Sequence, residues 1–204
     1  MEKEGIVYIV SAPSGAGKTS LCNELIDSLP DLRHSVSYTT RSPRPGERDG
    51  VDYFFVAKNR FDEMVRAGEF AEWAEVHGNL YGTALRTLEE NRSRGINLIL
   101  DIDCQGARQL KASCKDAVFI FILPPDFSEL RRRLEGRNSD SSTVIEARLD
   151  VAMSEMKESS WYDYVIVNDV FSDALEKLKA IVIAEQCRTS RVTRTVEALF
   201  RGKV

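Results

Sequence analysis

The chain is poor in the residues on which most covalent and redox chemistry depends. Histidine occurs twice in 204 residues, at His34 and His77, too far apart in sequence to suggest a shared ligand set. The cysteines Cys22, Cys104, Cys114 and Cys187 are scattered and form no C-x-x-C pair. That spacing indicates neither a zinc site nor a disulfide framework, and free thiols in a reducing compartment are expected. No Ser–His–Asp or Cys–His arrangement can be picked out. Long hydrophobic runs are also missing. The apolar stretch that follows M-E-K-E is too short for a signal or transmembrane segment, so a soluble, cytoplasmic protein without membrane contact is expected. The net charge of -4 argues against a protein that coats nucleic acid.

What the chain does contain is 43% hydrophobic residues, enough for a substantial core. Short, continuous apolar runs at residues 5–10, 96–101, 117–123 and 164–167 read as buried parallel strands. Helical segments lie between them, at about 18–28, 83–94, from Asp126 onward, 143–159 and to the end. This alternation predicts an α/β fold: a parallel sheet with helices on both faces. Two stretches interrupt it. Residues 34–83 hold several short strands, expected at 34–40, 53–56 and 70–76, and a short helix that Asn59 and Asp62 are placed to cap. Residues 126–160 are helical and arginine-rich, with a polar loop at 136–142. The expected organisation is core at 1–33, insertion at 34–83, core at 84–125, a second insertion at 126–160, and core again at 161–204. Thr83 is placed to cap the helix that follows it.

Residues 12–19 read A-P-S-G-A-G-K-T. This is G-x-x-x-x-G-K-[ST] with Ala12 in place of the first glycine. Gly15 and Gly17 let the backbone curl so that N–H groups point at phosphate oxygens. Lys18 reaches the β- and γ-phosphates, and Thr19 offers a hydroxyl to Mg2+. The helix that starts here adds its positive N-terminal end. A strand before and a helix after supply the context that separates this loop from a chance glycine-rich turn. The motif specifies a nucleoside triphosphate and no more. No N-K-x-D run is present to read guanine as a GTPase would.

A second anion-binding segment follows. T-T-R-S-P-R-P-G-E-R places Arg41, Arg44 and Arg48 in a loop stiffened by proline, suited to clamping a phosphate. Further on, E-W-A-E-V-H-G-N-L-Y-G-T brings Glu72, Tyr81 and Thr83 into one stretch. Together with Y-F-F at 53–55, I-L-D-I-D-C-Q-G at 99–106, R-R-R-L-E-G-R at 131–137 and Y-D-Y-V-I-V-N-D at 162–169, these motifs resemble the guanylate kinase family over nearly the whole chain.

The resemblance implies a P-loop kinase that moves a phosphoryl group from ATP to GMP, with dGMP a further acceptor to test and Mg2+ as the metal. Residues 34–83 would be the GMP-binding insertion and 126–160 a lid. ATP would be held by Ala12, Pro13, Ser14, Gly15, Ala16, Gly17, Lys18, Thr19 and Ser20, with Arg133 from the lid and Asn168 near the adenine. The GMP phosphate would lie among Arg41, Arg44, Tyr53 and Tyr81, and guanine would meet Ser37, Glu72, Thr83 and Asp103. Thr19 and Asp101 would serve the metal, partly through water. Lys18, Arg44, Arg137 and Arg148 would neutralise charge in the transition state. Arg131 and Arg132 read equally well as a solvated helix face. The rival reading is a non-catalytic module of the same fold that binds a protein, but such modules lose phosphate-binding residues that are present here. Oligomeric state is left open.

Overall fold

A computed structural model of the chain describes residues 4–76, 78–136 and 142–201. Its central strand is β1 (Val7–Ser11), in which every residue is buried. β1 has no polar face because helices cover both sides of the sheet. Alternate side chains feed two separate cores. Ile6, Tyr8 and Val10 pack with Leu21, Cys22 and Leu25 of α1 (Lys18–Ser28) and with Ala174, Leu178 and Val182 of α7 (Phe171–Gln186). Val7 and Ile9 point the other way, toward Leu88 of α3 (Leu85–Ser93) and Ala107 and Leu110 of α4 (Cys104–Ser113). The sheet order is β2-β7-β1-β8-β9, all parallel, with β2 at Leu32–His34, β7 at Asn97–Asp101, β8 at Val118–Leu123 and β9 at Tyr164–Val167. The carboxyl ends of β1 and β7, neighbours in this order, are where an open α/β sheet presents its ligand crevice.

The run 34–40 is not one strand. His34 pairs with Ile99 in the core sheet, and Ser35 N–H donates to the Ile99 carbonyl. The chain then crosses to a second sheet, where β3 is only Tyr38–Thr39. That sheet has the order β4-β3-β6-β5, with β4 at Phe54–Phe55, β5 at Phe70–Val76 and β6 at Asn79–Ala84. Two expected helix caps also differ. α2 (Lys58–Arg66) starts after Ala57 with no side-chain cap, because Asn59 and Asp62 both lie inside the helix, where Asp62 pairs with Lys58 four residues before it. Thr83 lies within β6 and donates its hydroxyl to Glu72, so Ala84 occupies the N-cap of α3. Asp126 does cap α5 (Phe127–Glu135), accepting from Glu129 N–H. α5 and α6 (Ser142–Lys157) share a small core of their own: Leu130, Leu134, Ile145, Leu149 and Ala152. A short 3-10 turn at Glu158–Trp161 leads into β9, and α8 (Thr189–Arg201) follows α7.

Candidate functional site

The glycine loop joins β1 to α1, with Ala12 and Pro13 buried beneath it and Ser14 half-buried. Gly15 and Gly17 have φ values of 93° and 91°, a region that costs a residue with a Cβ. A Cβ on Gly17 would also meet Asn168 Nδ2 at 2.5 Å. Asn168, itself buried, donates through Nδ2 to the Ala16 carbonyl at 2.7 Å and braces the loop from the end of β9. Arg133 donates to the Asn168 carbonyl at 3.1 Å, which ties α5 to the same point. Ser20 is exposed in the first turn of α1.

Lys18 Nζ lies 2.6 Å from Asp101 Oδ1 and donates to the Ile102 carbonyl at 2.7 Å. Thr19 donates to the other oxygen of Asp101 at 2.8 Å. Burial alone would depress the Lys18 ammonium, but Asp101 outweighs it and holds the group above its ordinary value. Burial would raise Asp101 in turn, and Lys18 and Thr19 pull it below the usual carboxylate range. Both groups stay charged. An ammonium has three donors, and these contacts leave one for an incoming phosphate.

The second sheet builds two clusters. In the first, the Arg41 guanidinium makes two hydrogen bonds to Glu47, at 3.0 and 2.8 Å, and lies 5.4 Å from the Tyr53 ring. The rings of Tyr53 and Tyr81 meet edge to face. Thr39 Oγ1 accepts from the backbone N–H of Arg41 at the start of this loop. Arg44 is exposed, and its backbone N–H also donates to Glu47. The Glu47 carboxylate is held below its ordinary value by Arg41 and by that N–H.

The second cluster is buried and polar. Thr83 Oγ1 donates to Glu72 Oε1 at 2.6 Å, and Ser37 Oγ lies 3.4 Å from Thr83 Oγ1. Asp103 caps α4, accepting from Gly106 N–H at 3.0 Å. Glu72 is 4% exposed. Burial raises its carboxyl to about 7, and the Asp103 charge adds to the rise. Glu72 lies against Gly106 at the start of α4, just after Ile102, whose carbonyl accepts from Lys18, so this cluster stands on the same side of the core as the glycine loop.

The structure thus groups Lys18, Thr19 and Asp101; Arg41, Tyr53 and Tyr81; Ser37, Glu72, Thr83 and Asp103; and Asn168 with Arg133. Arg148 is half-buried on α6. Arg137 lies outside the described residues, as does His77. Arg131 pairs with Glu146 between α5 and α6, and Arg132 pairs with Glu129. Sequence reasoning missed Glu47, whose only signal is an acid following a Pro-Gly turn, and Gln109, which had none.

A glycine loop on a parallel α/β core, together with a second sheet bearing its own cation cluster and buried carboxylate, defines a P-loop kinase of the nucleoside monophosphate type. The sequence pattern of the family described as guanylate kinase matches residues 4–185. The guanylate kinase of Geobacter sulfurreducens is 64% identical over 200 residues, covering 98% of each chain. That of Syntrophotalea carbinolica is 59% identical, covering 98% of this chain and 95% of its own. The crystal structure of guanylate kinase from Anaplasma phagocytophilum superposes with a TM-score of 0.80 at 35% identity, covering 98% of this chain and 97% of that one. The chain belongs to the guanylate kinase family. Among the described residues no helix is long and apolar enough to cross a membrane.

Proposed function

We propose that this chain transfers the γ-phosphoryl group of ATP to GMP, giving ADP and GDP. The observation that carries this reading is the buried Glu72 carboxylate, set beside Thr83 and Asp103 on the same side of the core as the Lys18 loop. Guanine presents N1–H and an exocyclic amine side by side, and a carboxylate accepts from both. Adenine presents a bare acceptor at N1, which would face the Glu72 lone pairs, and a buried polar reader rejects such a mismatch strongly.

The acceptor is a phosphate oxygen that is already anionic, so no general base is required. One bond forms from that oxygen to the γ-phosphorus as the bond to the β–γ bridging oxygen breaks, and its electron pair leaves on ADP. The difficulty is bringing two anions into line, so the protein acts through position and positive charge. Arg41, Arg44, Tyr53 and Tyr81 would hold the GMP phosphate, with Glu47 fixing the Arg41 fork. The backbone from Ala12 to Thr19 would cradle the ATP phosphates, and Lys18 would turn toward the transferred group. Residues 126–160 would close as a lid bringing Arg133, Arg137 and Arg148, and would exclude water that competes as acceptor.

Thr19 and Asp101 are hard oxygen donors 2.8 Å apart, which suits an Mg2+ ion that takes its remaining ligands from water and phosphate. When bound with ATP, that ion would supply further positive charge at the β- and γ-phosphates.

A coupled ADP-release assay with ATP and GMP, dGMP, AMP, CMP or UMP tests the reading. GMP should be the strongly preferred base, and an enzyme that turned over AMP as well as GMP would refute Glu72 as the reader.

A further inference from the structure

β5 is an outer strand of the second sheet, and the backbone N–H and C=O of Trp73 turn outward from it, toward α4. The Gln109 side chain meets both. Its Oε1 accepts from Trp73 N–H at 3.2 Å, and its Nε2 donates to the Trp73 carbonyl at 2.7 Å. A primary carboxamide has the donor and acceptor of a peptide group, so Gln109 imitates one rung of a neighbouring strand. The pairing also fixes its orientation, because the flipped amide would set donor against donor and acceptor against acceptor.

This clasp lies next to the base-reading cluster on both chains of connection. Trp73 follows Glu72 on β5. On α4, three residues before Gln109, Gly106 is so close to Glu72 that an added Cβ would meet Oε2 at 2.3 Å. Asp103 caps the same helix. The cluster therefore straddles two elements, Glu72 on one and Asp103 on the other, and their relative placement decides whether both can meet one purine. Like charges on Glu72 and Asp103 oppose that placement. A pair of directional hydrogen bonds from α4 to β5 holds it against that repulsion.

We propose that Gln109 is a positioning residue for base recognition, setting the separation of Glu72 and Asp103 through the Trp73 backbone. The proposal rests on the reading of those two carboxylates as contacts to guanine. Gln109 is exposed, so its replacement should leave the core intact.

The test is Gln109→Met, which keeps length and loses both hydrogen bonds, assayed for GMP and ATP separately. KM for GMP should rise about tenfold, with kcat and KM for ATP within about twofold of the parent. Preference for GMP over IMP, which keeps N1–H and lacks the amine, should narrow. In a Glu72→Ala background, itself much weakened toward GMP, Gln109→Met should add no further loss, because the contact it positions is gone. An unchanged KM for GMP in Gln109→Met, beside a large rise in Glu72→Ala, would overturn the role of Gln109 and leave the base reading standing. An equal further loss in the Glu72→Ala background would mark Gln109 as generally structural and overturn it as well. Normal GMP kinetics in Glu72→Ala alone would overturn both.

Discussion

Glu72→Gln should make the protein more stable and a worse enzyme, and the stability gain should depend on pH in a specific way. Glu72 is buried with no cation in contact among the described residues, and its carboxyl is raised from an ordinary 4.5 to about 7. A carboxyl raised on folding binds its proton more tightly in the native state than in the unfolded one. Below about pH 4.5 both states are protonated and the group costs nothing. As pH rises toward 7 the unfolded state ionises first, and native stability falls. Above about pH 7 the cost is complete, at about 3 kcal/mol as an upper figure. Glutamine cannot ionise, and its Oε1 can still accept from Thr83. The variant should therefore gain up to about 3 kcal/mol at pH 8, or roughly 6–12 °C in Tm for a domain of this size. The gain should shrink toward zero near pH 4.5. In the same protein kcat/KM for GMP should fall about a hundredfold or more, since the charge-assisted bonds proposed from Glu72 to guanine would be lost. Thermal melts of both proteins from pH 4.5 to 8.5, with kinetics at pH 8, measure both effects. An equal Tm difference at pH 5 and pH 8 would refute the buried-carboxylate account.

Three further outcomes are expected. Lys18→Met should lower kcat by roughly 10²–10⁴ with the fold retained, and near-normal turnover would remove Lys18 from the phosphate cradle. Arg148→Ala should chiefly lower kcat, because its contact with the transferred group would form only on closure; a rise in KM for GMP at constant kcat would place it elsewhere. Small-angle scattering should give a smaller radius of gyration with GMP and a non-hydrolysable ATP analogue than with neither, and identical profiles under saturation would dismiss a moving lid.

The core was legible because a strand covered on both faces has no polar positions. The apolar runs around Val7–Ser11, Asn97–Asp101 and Val118–Leu123 therefore stand out without any periodicity, whereas Tyr164–Val167 is an edge strand with Val165 and Val167 exposed and was legible only as a short apolar run. The second sheet was read less well. Strands of two residues, such as Tyr38–Thr39 and Phe54–Phe55, are too short to show alternation, and of Leu32–His34 only His34 was read as strand, joined to the first of them. Thr83 was misread as a cap because a threonine before a helix is a good local candidate. Its hydroxyl is instead taken by Glu72, eleven residues earlier in the chain and across the sheet. The glycine loop and its lysine were visible as a motif. Their electrostatic partner was visible only as an acid ending a strand, and the 2.6 Å pair with Lys18 comes from the adjacency of β1 and β7. Gln109 illustrates the limit: its partner is a main-chain segment, and main-chain partners leave no mark in composition.

The close approach of Gly106 to Glu72 links the fates of two positions 34 residues apart in the chain. No side chain, not even alanine, fits at 106 while the Glu72 carboxylate stays where it is. A lineage cannot acquire a methyl group there first and adjust later without passing through a form that has displaced its carboxylate. In the opposite order, once a shorter residue stands at 72 the constraint at 106 is lifted. Substitution at 106 should therefore displace the carboxylate and weaken GMP binding in chains that keep Glu72, and add little in chains already altered at 72. A pairwise set of 106 and 72 variants assayed for KM toward GMP would show that dependence, and an unchanged KM for Gly106→Ala beside an intact Glu72 would contradict it.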